Sequence, residues 1–259
     1  MVNARQAKTA REKAAAMRAE SARKEARSRA IAIVAAVIAV IVVAVIAGII
    51  IQMAKHNQDE KVAAATAPPA NLTNDGFLVG KAGAKVTIEV WEDFLCPACQ
   101  NFEKLNAGQL KKWTEDGTAK IEYHPVAILD HQSTTNYSTR ALNAFAAVIN
   151  AKPDAFETFH ALLFENQPPE GGSGLPDSQL IDYAVQAGVD RAVVESAVTS
   201  LKFKGWTQKV TNGFSQKGYT GTPTLLVNGK KVTTLVNGKE VADYSPDNLK
   251  TYVDAAAKG

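Results

Sequence analysis

The sequence holds two cysteines, Cys96 and Cys99, separated only by Pro97 and Ala98 in the stretch "VTIEVWEDFLCPACQNFEKL". Three kinds of chemistry suit such a pair. A structural disulfide stabilises mainly by closing a long loop in the unfolded chain, and a loop this short removes little entropy. A zinc site needs two further Cys or His ligands. The chain has no third cysteine, and its four histidines, His56, His124, His131 and His160, are isolated from one another. A copper site drawing on one distant His has no motif behind it, so no metal is expected. A redox pair is the third possibility. C-x-x-C spacing places Cys96 at a helix N-terminus and Cys99 one turn in. Unpaired backbone N–H groups and the helix dipole favour a thiolate there, so Cys96 should be the more acidic thiol. Cys99, one turn deeper, should be less exposed and resolve the bond.

Such a pair donates disulfides only in an oxidising compartment, so its side of the membrane matters. Residues 30–51, "AIAIVAAVIAVIVVAVIAGIII", carry no polar side chain over 22 positions. Roughly 20 apolar residues span a bilayer as a helix. Nine Lys/Arg and three Glu lie in residues 1–30, giving that tail +6, whereas the remainder sums to −3. The positive-inside bias therefore predicts a basic cytoplasmic tail (1–29), a transmembrane helix (30–53) and an extracytoplasmic C-terminal domain. A cleaved signal peptide fits less well, because its apolar core runs about 7–15 residues. Because the basic excess sits in the tail, it does not point to a nucleic-acid-binding domain. Residues 54–75 lack sustained periodicity, include Pro68-Pro69 and read as a flexible tether.

The folded domain is expected over 76–259. "KVTIEVWEDF" (85–94) alternates as a buried strand. The residues after Cys96 carry helical spacing, with Pro97 suited to the first turn. "TAKIEYHPVAIL" (118–129) reads as a second strand, and the strand–helix–strand unit implies a parallel pair. Helical patterns then cover 133–151, 153–167, 176–188, 190–200 and about 203–217. "TPTLLVNGKKV" (222–232) is a strand, an Asn-Gly turn and a strand, and "LVNGKEV" (235–241) nearly repeats it. Ser245 and Pro246 open a closing helix.

"DFLCPAC" followed far downstream by "GTPTLLVNG" resembles the DsbA-like thioredoxin-fold proteins, in particular the membrane-anchored ones of actinobacteria. The resemblance covers roughly residues 75–259. It implies an α/β thioredoxin fold with an inserted α-helical domain (about 132–217), preceded here by one N-terminal transmembrane helix. It makes Thr222–Pro223 the candidate cis peptide beside the disulfide, where the Thr222 backbone would pair with a client chain. It also implies thiol:disulfide exchange with reduced secreted or cell-envelope proteins, no dissolved cofactor, and reoxidation by a quinone-linked DsbB or VKOR-type membrane partner. Two positions depart from the family. Ala98 stands where the strongest oxidants carry His, and Val90 where many relatives bury an acid beneath the pair. Glu89, Glu92 and Asp93 are expected as solvated or capping side chains, with Glu92 the remaining candidate for proton transfer to Cys99. Phe145, Phe156, Phe159 and Leu163 should be core rather than groove, and Trp91 core. The alternatives are a reductase or isomerase using the same residues, and a non-enzymatic thioredoxin-like module that holds clients or a metal.

Overall fold

The computed structural model describes residues 17–18, 23–24, 37–38, 40–53, 67–73 and 75–258. The chain divides into two compact units, residues 1–58 and 59–259. In the first, residues 40–53 form helix α1 with exposed side chains. Most of the expected spanning segment's first third, most of the basic tail and residues 54–66 lie outside the described residues. No helix among the described residues is long and apolar enough to cross a membrane.

The second unit is built on a six-stranded sheet whose strands lie in the spatial order 72–73, 76–79, 119–125, 86–92, 224–227 and 230–231. At its centre, β3 (Val86–Glu92) pairs in parallel with β4 (Ala119–Pro125) and antiparallel with β5 (Thr224–Val227). Helix α2 (Pro97–Asp116) connects the parallel pair. β3 is central because both its faces bury apolar groups. Val86, Ile88 and Val90 are fully buried within the main core, while Trp91 joins Val126, Phe214 and Leu226 in a second cluster. Full burial of each such aliphatic side chain is worth about 1.5–3 kcal/mol. The second expected strand is shorter than its apolar pattern, stopping at Pro125, with the Val126 N–H still donating to the Glu92 carbonyl.

The sheet begins earlier than the sequence pattern suggests. β1 (Leu72–Thr73) lies inside the segment read as tether, and β2 (Gly76–Val79) pairs antiparallel with β4. These strands are too short to show a period of their own, and cross-strand pairing fixes them instead. Glycine is required at position 76, where an added Cβ would sit 2.5 Å from the His124 ring.

The helical insertion comprises α3 (Tyr137–Ala151), α4 (Phe156–Glu165), α5 (Asp177–Gln186), α6 (Arg191–Thr199) and α7 (Lys204–Gln216). A short 3-10 turn, Pro153–Ala155, opens the stretch expected as one helix over 153–167. α3 packs against the other four, and its run from Ala144 to Ile149 is buried on all sides, as expected for a helix apolar all round. Phe145, Phe156, Phe159 and Leu163 are all core residues.

Beyond β5, a turn at Asn228–Gly229 leads into β6 (Lys230–Lys231). The second turn, at Asn237–Gly238, joins β7 (Thr233–Val236) to β8 (Lys239–Ala242) as a separate two-stranded sheet. Both asparagines and both glycines have positive φ, the geometry that hairpin turns of this sequence favour. Helix α8 (Pro246–Lys258) closes the unit, burying Leu249 and Val253.

Candidate active site

Cys96 occupies the N-cap of α2, in extended backbone geometry with Pro97 directly behind it. The strand-to-helix junction therefore leaves its sulfur at the margin of the surface, 7% exposed, whereas Cys99 is 0% exposed one turn in. Both are free thiols. Pro97 is exposed and Ala98 half-buried.

The Thr222–Pro223 peptide bond is cis and lies against the pair. The Cys96 thiol donates to the Thr222 carbonyl oxygen over 3.2 Å. The two segments are 126 residues apart in sequence. They meet because β5 starts immediately after Pro223 and runs antiparallel to β3, whose C-terminal end delivers Cys96.

The two thiols have opposite electrostatic environments. A hydrogen bond from Cys99, assisted by the Thr222 side chain and the backbone N–H groups of Ala98 and Cys99, outweighs partial burial and brings Cys96 down from 9.0 to about 6. Burial and the neighbouring Cys96 push the Cys99 thiol well above its ordinary value. Alkylation of Cys96 in the reduced protein should consequently rise with pH through a midpoint near 6 and level off by neutral pH. The check is a rate–pH profile with iodoacetamide; a midpoint above 8 would contradict this geometry.

Of the two roles expected for the acidic residues around the pair, solvated or capping, Asp93 has the capping one, but buried. Asp93 is 0% exposed rather than solvated. Its carboxylate caps the turn into α2 by accepting from the Leu95 N–H, and it also accepts from Leu129 N–H and the Ser138 hydroxyl. Burial nonetheless raises it to about 7. Glu92 is likewise 0% exposed, and its Oε1 lies 2.6 Å from Nε2 of His160, a residue that looked isolated in the sequence. Glu103, one turn beyond Cys99 on α2, completes a buried group whose ligand-type atoms all lie within 4.8 Å of one another. Val90 contributes only apolar contact. Glu89 accepts from the Trp91 indole, and that indole stacks on His124 with ring centroids 4.2 Å apart.

The insertion also ties itself to the site by side-chain-to-backbone hydrogen bonds. Gln167, just beyond α4, donates its side-chain amide to the carbonyls of Phe94 and Cys96, and Gln100 donates to Phe164. Neither Gln carries a motif that sequence reading could detect.

A thioredoxin family model matches residues 72–255, well over half of the chain. The fold also superimposes on reduced DsbA from Mycobacterium tuberculosis with a TM-score of 0.57 and 30% identity, covering 71% of this chain and 98% of that one. The chain belongs to the thioredoxin family, as a DsbA-like thiol:disulfide oxidoreductase. In agreement, it is 26% identical over 184 residues to disulfide bond formation protein D of Bacillus subtilis, covering 70% of this chain and 77% of that relative. Oxidised BdbD from Bacillus subtilis shares the fold, with a TM-score of 0.61 at 22% identity over 75% of this chain and 98% of that one. The serine/threonine-protein kinase PknE of Mycobacterium tuberculosis is 29% identical over 165 residues, 60% of this chain, but the match spans only 29% of PknE's length. The DsbA-like assignment accounts for the helical insertion between Cys99 and Pro223, which a minimal thioredoxin would not need.

Proposed function

We propose that this DsbA-like chain is a membrane-anchored, extracytoplasmic disulfide donor for reduced secreted or cell-envelope proteins. The asymmetry of its thiols carries the reading: an acidic Cys96 at the surface margin beside the Thr222 backbone, and a buried, weakly acidic Cys99. A stabilised Cys96 thiolate favours the reduced pair, and that makes the oxidised pair a donor. Its value near 6 lies between thioredoxin-like thiols at about 7 and the most oxidising ones at about 3.5, consistent with Ala98 in place of His.

A client thiolate attacks the Cys96 sulfur of the oxidised pair and displaces Cys99 as thiolate. The mixed disulfide holds the client along Thr222, whose carbonyl no longer receives the Cys96 proton and can accept a client backbone N–H. A second client thiolate attacks the client sulfur and releases Cys96. The apolar segment 30–53 serves as the anchor, and a quinone-linked membrane protein of the DsbB or VKOR type restores the disulfide.

The test is Cys99→Ser expressed in cells, which should accumulate client adducts bonded through Cys96 and resolved by dithiothreitol. No adducts with any envelope protein would sink the exchange reading. Acid-quench thiol trapping of the native pair then decides direction: mostly oxidised supports a donor, and mostly reduced would replace it with a reductase or isomerase.

A further inference from the structure

Gln167 follows closely on α4, and the residues around it fix where its side chain goes. Pro168 disfavours helical backbone in the residue before it. α4 ends at Glu165, and the Gln167 N–H turns back to the Phe164 carbonyl at 3.3 Å. The half-buried side chain then crosses to the start of α2. Its amide nitrogen donates to the Phe94 carbonyl over 3.1 Å and to the Cys96 carbonyl over 3.0 Å. Gln100 answers from α2, donating to the Phe164 carbonyl over 2.7 Å.

We propose that Gln167 is a positioning residue for exchange: its amide occupies the Cys96 carbonyl and so leaves the Cys99 N–H free to turn toward the Cys96 sulfur. This rests on the reading of Cys96 as the reacting sulfur of an exchange pair. The Cys96 carbonyl has more donors than it can serve. The Cys99 N–H reaches it at 3.0 Å, the Gln100 N–H at 3.1 Å and the Gln167 amide at 3.0 Å. A carbonyl oxygen has two lone pairs, so three donors compete for two positions. The Cys99 N–H also supports the Cys96 sulfur, together with that of Ala98. Pro97 has no N–H to give. A donor that satisfies the carbonyl from outside the helix therefore returns one to the sulfur.

The second contact fixes the turn itself. Phe94 is fully buried, so its carbonyl needs a partner, and Gln167 supplies one. The Phe94 and Cys96 carbonyls flank Leu95, whose N–H is held by the Asp93 carboxylate, while the Cys96 N–H donates to the Asp93 carbonyl. One side chain from the insertion thus pins both ends of a three-residue turn. It holds the extended backbone of Cys96 from which the sulfur reaches the Thr222 carbonyl.

The surroundings keep this effect separable from others. The titratable groups facing Cys96 are Cys99 on α2 and Tyr244, which precedes α8 and is raised by burial and by the charges of both cysteines. Gln167 is neutral, so an apolar replacement removes donors without changing the net charge. Phe156, Phe159 and Leu163 carry the packing of α4 into the main core, so α4 should stay folded when Gln167 is replaced.

The experiment is the iodoacetamide rate–pH profile of Cys96 in the full-length reduced chain, with circular dichroism as the check on folding. Gln167→Leu should move the midpoint from near 6 to about 7, a shift of the size one hydrogen bond supplies, and lower the rate at pH 6 about fivefold. Gln167→Glu keeps the shape, but its carboxylate cannot donate, and it should move the midpoint at least as far. Gln100→Leu breaks the returning contact without removing a donor from Cys96, so the midpoint should stay in place. An unmoved midpoint in both folded Gln167 variants would overturn the positioning role. So would an equal shift in Gln100→Leu, which would assign the effect to docking of the insertion. Adduct trapping by Cys99→Ser is independent of Gln167, so the exchange reading can survive failure of this inference.

Discussion

Cys96→Ser should lower thiol–disulfide exchange to background, a loss of at least about 10³-fold, with the fold unchanged. The argument is one of ionisation. A thiol brought to about 6 is roughly 90% thiolate at pH 7, against about 1% for a thiol at its ordinary 9.0. Serine keeps the volume and can still donate to the Thr222 carbonyl, so packing at the α2 N-cap is preserved. Its hydroxyl does not ionise near neutrality, and no other thiol reaches the surface, because Cys99 is 0% exposed. Oxidative refolding of a reduced test protein measures the loss, and circular dichroism checks the fold. Retention of a tenth of wild-type activity would remove Cys96 from the nucleophile's role.

His160→Ala should destabilise the folded domain by about 3–5 kcal/mol, because it leaves Glu92 as an uncompensated buried charge. The contrast that isolates the cause is the double variant Glu92→Leu/His160→Leu. Replacing a buried ion pair by apolar groups of similar volume is often neutral or stabilising. Urea unfolding of the wild type, both single variants and the double variant closes a cycle. A double variant as unstable as the singles would assign the loss to packing among Phe94, Phe156 and Phe164 instead of to charge. The pair spans the thioredoxin core and the insertion, with Glu92 on β3 and His160 on α4. Its disruption should therefore loosen the insertion over the site as well as lower stability.

The local code was readable where chemistry depends on adjacency. C-P-A-C spacing, proline at the first helical turn, the alternation of β3 and the Asn-Gly turns each express a constraint acting over a few residues. They led to the Cys96 N-cap, the α2 helix, the central strand and both hairpins. The pairing of Cys96 with Thr222 was accessible only through a family pattern, since 126 residues separate them. β1 and β2 escaped because strands of two to four residues have no measurable period and are stabilised by their partners.

The capping role of Asp93 fits one of its two expected roles, but the full burial of Glu92 and Asp93 was not legible in the sequence. Glu92 and Asp93 have the composition of a solvated strand end, and charged residues are rarely fully buried unless paired. Their partners come from elsewhere: His160 from α4, and Ser138 and Leu129 from α3 and the loop before it. Residue types and spacing alone assigned this protein a pair of cysteines poised for exchange at a helix start. Only the packing of the helical insertion onto the sheet decided that a Glu–His–Glu group lies beneath that pair, because ionisable side chains find their counterions in three dimensions and leave no periodic trace along the chain.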